Sequence, residues 1–192
     1  MGGHEADFGR EEVGMTLRMV LIACAVAMVA VSATMLGWSV PHLAGFGGGQ
    51  PFDVRFTGYT HADAVAFLRA IGSEGAAFYA KVQLRLDTAF PLLYLVALSW
   101  LLASILGWAG FAGAGRGLVA VVIVAVPTLL DFAENAAIAE MLRLGPDAVT
   151  PDLVSWATAC STTKWVTALE GLAVAAAGVL VALVRGFAGG AR

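Results

Sequence analysis

The sequence predicts an all-α integral membrane protein, a four-helix antiparallel bundle with a short interfacial helix in its long first loop. Three observations carry this. The 192-residue chain is 59% hydrophobic and only 13% charged, whereas a soluble domain carries about 25% charged residues. Apolar runs recur that are long enough to cross a bilayer, which takes about 20 residues. Segments rich in glycine, proline and charge separate those runs. The chain reads as a single membrane domain with spans at about 17–38, 87–108, 118–142 and 156–184.

The first span follows an acidic leader (Glu5, Asp7, Glu11, Glu12). A secretory signal has a basic leader and an apolar stretch of about 7–15 residues, so this segment reads as a retained span with Trp38 at the interface. A loop is expected from Pro41 to Gly58, broken by Gly47-Gly48-Gly49 and Pro51. Thr60-His61-Ala62-Asp63 fits a capping box, in which Thr60 and Asp63 satisfy each other's backbone N–H groups. It should open an interfacial helix at about 61–71, ended by Gly72. The second span begins near Asp87 and carries Pro91 in its first turns, which removes a helical hydrogen bond. The third contains Pro127 and the sequence Asp131-Phe132-Ala133-Glu134-Asn135, and the fourth contains Lys164 and Glu170. The tail, 186–192, is Gly/Ala-rich and expected to be disordered. Arg10, Arg18, Arg116, Arg185 and Arg192 fall on one side and favour both termini cytoplasmic in a cell membrane.

The buried polar residues are the informative ones. Asp131, Glu134 and Asn135 are spaced i, i+3, i+4 and share one helical face. An acidic side chain near the centre of a span costs roughly 2.5–3.5 kcal/mol on insertion scales, so that face should turn into the bundle. At a rise of about 1.5 Å per residue, Tyr94, Asp131, Glu134, Asn135 and Lys164 all lie about 10–16 Å below the side of the first loop, with Asp87 at the boundary. Polar groups of three helices therefore converge in the outer half of the membrane. Lys164, the lone cation within a span, should pair with Glu134 or Asp131, with Arg85 extending the network at the rim. Gly171, Ala175 and Gly178 form a small-residue stripe that suits close packing, within the chain or in a homo-oligomer.

Composition excludes other classes. The net charge of −3 is dispersed, with no basic patch for nucleic acid. Cys24 and Cys160 fall near opposite faces, so no disulfide is expected. No histidine lies within a span, and His4, His42 and His61 are scattered, so neither haem, another cofactor nor a metal site is expected.

Leu86-Asp87-x-x-Phe90-Pro91-x-x-Tyr94, Asp131-x-x-Glu134-Asn135 and Thr162-Thr163-Lys164-Trp165, together with Gly72 to Tyr94, resemble an uncharacterised, mostly bacterial family of small four-span membrane proteins. The resemblance covers about 57–183. It implies the architecture and which residues matter, and it brings no activity, cofactor or substrate.

Three functions fit these residues. The polar cluster can be a structural network, in an accessory protein, that sets helix register. It can instead be a binding or acid/base site for a lipid-like molecule, with Asp131, Glu134 and Lys164 as the catalytic groups, Asp87, Tyr94 and Asn135 holding the ligand, and the 61–71 helix as a lid. It can also be part of a proton or ion pathway, which would have to continue inward through Glu170.

Overall fold

The computed structural model describes residues 2–190, with side chains described over 14–187. Among the described residues there is no strand, and four helices are long and apolar enough to cross a membrane: Gly14–Gly48, His61–Trp108, Gly115–Leu144 and Pro151–Phe187. The four spans expected from the sequence fall inside them.

Helix α1 (Gly2–Thr34) does not stop where the sequence predicts a loop. A π-helical turn (Met35–Ser39) leads into α2 (Val40–Leu43) and a second π-helical turn (Ala44–Gly48). Pro41, which has no N–H to give to the turn before it, lies just after the first π-helical turn within this continuous helix. The continuation carries Leu43 and Phe46 into an outer apolar core, where Leu43 is fully buried. The loop proper therefore begins at Gly49.

Helix α3 (His61–Phe78) opens with the capping box. Asp63 N donates to Thr60 Oγ1 at 3.1 Å, and Thr60 N donates to Asp63 Oδ2 at 2.9 Å. At Gly72, φ +59 and ψ −167 interrupt the helix, a backbone geometry that favours glycine. Residues 61–71 turn Ala64, Phe67, Leu68 and Ile71 onto Ile138, Met141, Val154 and Ala157, forming a cap over the ends of the third and fourth spans. After Gly72 the chain runs through a π-helical turn (Tyr79–Gln83) into α4 (Leu84–Trp108).

Helices α5 (Gly115–Leu144) and α6 (Pro151–Gly190) complete the bundle. Residues 186–190, expected in a disordered tail, continue α6, and residues 191–192 lie outside the described part. The acidic side chains of the leader also lie outside it. At the end of the bundle away from the 49–60 loop, the turn between α4 and α5 approaches both Arg116 and Arg185, so the two guanidinium groups gather at one face.

Helix α4 is central, in contact with α1, α5 and α6, and α5 and α6 pack along each other. Helix α1 leans on α4 and makes no comparable contact with α5 or α6. The ring of four helices is thus open on one side. Val26, Val122, Leu129 and Leu180 point outward and are more than half exposed. In water such faces would be costly; a bilayer covers them, and the helices satisfy their own backbone groups within it.

Candidate functional site

The polar cluster forms where α4, α5 and α6 meet. Asp131, Glu134 and Asn135 all face inward, at 4%, 0% and 6% exposure. Lys164 of α6 reaches across and bridges two carboxylates, with Nζ 2.8 Å from Asp131 Oδ1 and 2.6 Å from Glu134 Oε2. The sequence pointed to one of these partners, and the ammonium takes both. The Tyr94 hydroxyl donates to Asp131 Oδ2 at 3.3 Å, so both oxygens of Asp131 are engaged.

Asn135 has a different partner. Its Nδ2 donates to the main-chain carbonyl of Asp87 at 3.0 Å. That carbonyl lies four residues before Pro91, whose ring nitrogen has no hydrogen to give. The asparagine supplies the missing donor and ties α5 to the start of α4. Asn135, expected among the ligand-holding residues, has its amide N–H on the backbone, while its Oδ1 has no hydrogen-bond partner.

A second polar network escaped the sequence. Asp53, in the loop before α3, accepts from the Tyr79 hydroxyl through Oδ1 and from Gln83 Nε2 at 2.8 Å through Oδ2. Ser39 Oγ donates to Gln83 Oε1, and Phe52 N donates to the Tyr79 hydroxyl oxygen at 3.0 Å. This network pins the loop to the base of α4. The spacing Tyr79, Gln83, Asp87, Pro91 in steps of four was the available signal, because such residues stack along one helical face. Beside this network, burial pushes the Tyr59 phenol above its ordinary range and keeps it neutral. Arg85, expected at the rim of the cluster, is exposed instead.

Both networks meet at a cavity of about 540 Å³. Its polar end is made by Asp53, Asp87, Tyr94, Asp131, Lys164 and Trp165. From there it runs between Met28 of α1 and Met35 of the π-helical turn that follows it, Leu98, Leu102 and Ile105 of α4, Ile123 and Val124 of α5, and Leu172 and Ala175 of α6. Asp87 and Ile105 lie about 27 Å apart along α4 at the helical rise. Residues of α1 and α6 both line the cavity, and these two helices make no contact comparable to that of α1 with α4.

The site residues divide accordingly. Asp87, Tyr94, Asp131 and Lys164 line the cavity. Glu134, expected as an acid or base toward a ligand, is fully buried and outside the lining, in contact with Lys164. Glu170 is exposed on α6 and also outside the lining, so beyond the polar end the cavity is lined by apolar residues and the hydroxyls of Ser32 and Thr167, with no charged group. Gly171 and Gly178 are packed within the chain, where an added Cβ would lie 3.2 Å from Ile123 Cγ2 and 2.7 Å from Ile105 Cγ2. Cys24 and Cys160 are free thiols. Among the described residues no group of three His, Cys, Asp or Glu side chains is placed to hold a metal ion. His42 packs at a tilt against Phe78, ring centroids 4.5 Å apart, and His61 Nε2 lies 3.0 Å from the Val149 carbonyl.

Chemically, the polar end offers an engaged carboxylate–ammonium pair, a phenol, and one carboxylate oxygen, Asp87 Oδ2, that is buried without a hydrogen-bond partner. No family model, curated protein or solved structure matches the chain.

Proposed function

We propose that this chain binds a lipid-like amphiphile inside the membrane, polar group outermost and tail along the bundle axis. The observation that carries this reading is the cavity: about 540 Å³, polar at one end and mainly apolar along the rest, with walls from α1 and α6, which make no close contact with each other. Cavities of about 300–1,000 Å³ with apolar walls and a few converging polar groups are the usual form of a small-molecule site. A membrane-dissolved ligand enters such a site laterally, without crossing water. Asp131, on the cavity wall between Tyr94 and Lys164, is the group placed to exchange a proton with a bound molecule, should chemistry follow binding. The clustering of Arg116 and Arg185 at the inner end favours cytoplasmic termini in a cell membrane, which puts the polar end of the cavity in the outer leaflet.

A second reading, the structural or accessory one, draws on Lys164 bridging Asp131 and Glu134 while Asn135 mends the break at Pro91. These contacts tie α4, α5 and α6 in register and need no ligand.

The test is native mass spectrometry of the purified protein beside an Ala175→Phe variant, whose ring would fill the apolar part of the cavity. A discrete co-purifying mass that the variant loses while staying folded supports the binding site. Equal, unspecific lipid retention by both proteins leaves the register network as the function of the cluster.

A further inference from the structure

We infer that the head group taken by this cavity is a cationic hydrogen-bond donor, an amine on an apolar tail. The inference rests on the cavity being an amphiphile site and adds the class of ligand.

The argument starts from charge. Asp53, Asp87 and Asp131 line the polar end and Glu134 stands just behind it. One ammonium, Lys164, serves this group, and it is already shared between Asp131 and Glu134. Asp53 is satisfied by neutral donors, the phenol of Tyr79 and the amide of Gln83, which bond its oxygens without supplying a positive charge. The nearby Arg55 guanidinium lies over the Phe52, Tyr59 and Phe67 rings and donates to the Gln50 carbonyl. The acids thus outnumber the cation, in a place where an uncompensated charge is costly.

Two groups on the cavity wall have vacant bonding capacity, the donor Trp165 Nε1 and the acid Asp87, and Asp87 points the same way as the charge. Asp87 is 5% exposed, lines the cavity, and its Oδ2 has no hydrogen-bond partner. An ionised carboxylate only accepts, so a donor on a ligand lying against the Asp87 side chain serves it. An ammonium head supplies both the donor and the missing charge. Phe90 and Tyr94, packed edge to face at 5.2 Å, and Trp165, whose ring already takes the Lys164 ammonium at 5.6 Å, make this wall aromatic, a setting compatible with a cation. A carboxylate head would meet Asp53, Asp87 and Asp131 at once, and an alcohol would leave the charge uncompensated. A bare metal ion lacks the ligand trio it needs among the described residues.

The experiment uses the full-length protein in neutral detergent at pH 7 with three probes of equal chain length: dodecylamine, dodecanol and dodecanoate. Binding is read by native mass spectrometry and by the rise in melting temperature, which reports preferential binding to the folded state. The amine should bind about tenfold more tightly than the alcohol, with the acid weakest. Asp87→Asn should erase the preference for the amine while leaving dodecanol bound, and Ala175→Phe should weaken amine and alcohol alike. Dodecanoate binding as tightly as dodecylamine overturns the inference and leaves the cavity reading standing, as does an amine preference unchanged in Asp87→Asn. Failure of all three probes to bind overturns both. The ranking of the probes on the unmodified protein decides the matter even if Asp87→Asn does not fold.

Discussion

Asn135 and Asp87 are joined side chain to main chain: the amide Nδ2 of one donates at 3.0 Å to the backbone carbonyl of the other. Pro91, four residues after Asp87, is the reason that carbonyl is free. A proline in a transmembrane helix is accommodated when a neighbouring helix satisfies the group it releases. Here the repair comes from the motif that also carries Asp131 and Glu134, so one turn of α5 both mends α4 and holds the buried acids.

This relationship can be measured. Asn135→Leu leaves the buried Asp87 carbonyl without its donor and is expected to cost about 1–3 kcal/mol in unfolding free energy. Pro91→Ala restores an N–H at position 91, so the cost of Asn135→Leu should shrink in that background. A double-mutant cycle by denaturant titration in detergent reads the coupling. Costs that simply add would show that Asn135 does not substitute for the missing helical donor.

The shared ammonium makes the ion cluster asymmetric. Lys164→Met leaves Asp131 and Glu134 buried together with no cation, a loss in the range of about 3–5 kcal/mol for a broken buried pair. Asp131→Asn keeps the Lys164–Glu134 contact at 2.6 Å and should cost clearly less. Combining Asp131→Asn with Lys164→Met should recover part of the loss. Thermal melts of the three variants check the order, and equal costs for the two single substitutions would contradict a bridging lysine.

Close approach of α6 to its neighbours sets a ranking among the small residues. A Cβ at position 178 would lie 2.7 Å from Ile105 Cγ2, and one at position 171 would lie 3.2 Å from Ile123 Cγ2. Gly178→Ala is therefore expected to destabilise by about 1–3 kcal/mol through overpacking, and more than Gly171→Ala does. Ile105→Ala, which removes the crowding Cγ2, should relieve the first substitution. Size-exclusion profiles of the same variants show whether the stripe also affects self-association.

The capping box holds the start of α3 over the ends of α5 and α6. Thr60→Ala removes the acceptor for Asp63 N, at 3.1 Å, and should cost about 0.5–2 kcal/mol. Hydrogen exchange should rise in the first turns of α3 and stay unchanged in the spans. Thr60→Ser, which keeps the acceptor, should restore protection.

Much of this molecule is local and therefore legible in its residues. A run of about 20 apolar side chains is a span whatever surrounds it, and spacing at i, i+3, i+4 puts Asp131, Glu134 and Asn135 on one face by helical geometry alone. Lipid cannot solvate that face, so its inward direction and the matching depth of Lys164 followed as well. The Thr60–Asp63 cap and the break at Gly72 are equally local. Tertiary structure decided the rest, because the rest depends on where distant segments meet. Which carboxylate takes Lys164 depends on the rotation of α6 against α5, and the answer is both. The Asp53–Tyr79–Gln83–Ser39 network joins a loop to two helices, and no short-range pattern sets such a contact. The continuation of α1 past Pro41 follows from the outer core that receives Leu43 and Phe46. The cavity exists because α1 leans on α4 instead of closing against α6, and a gap between two helices is a property of neither.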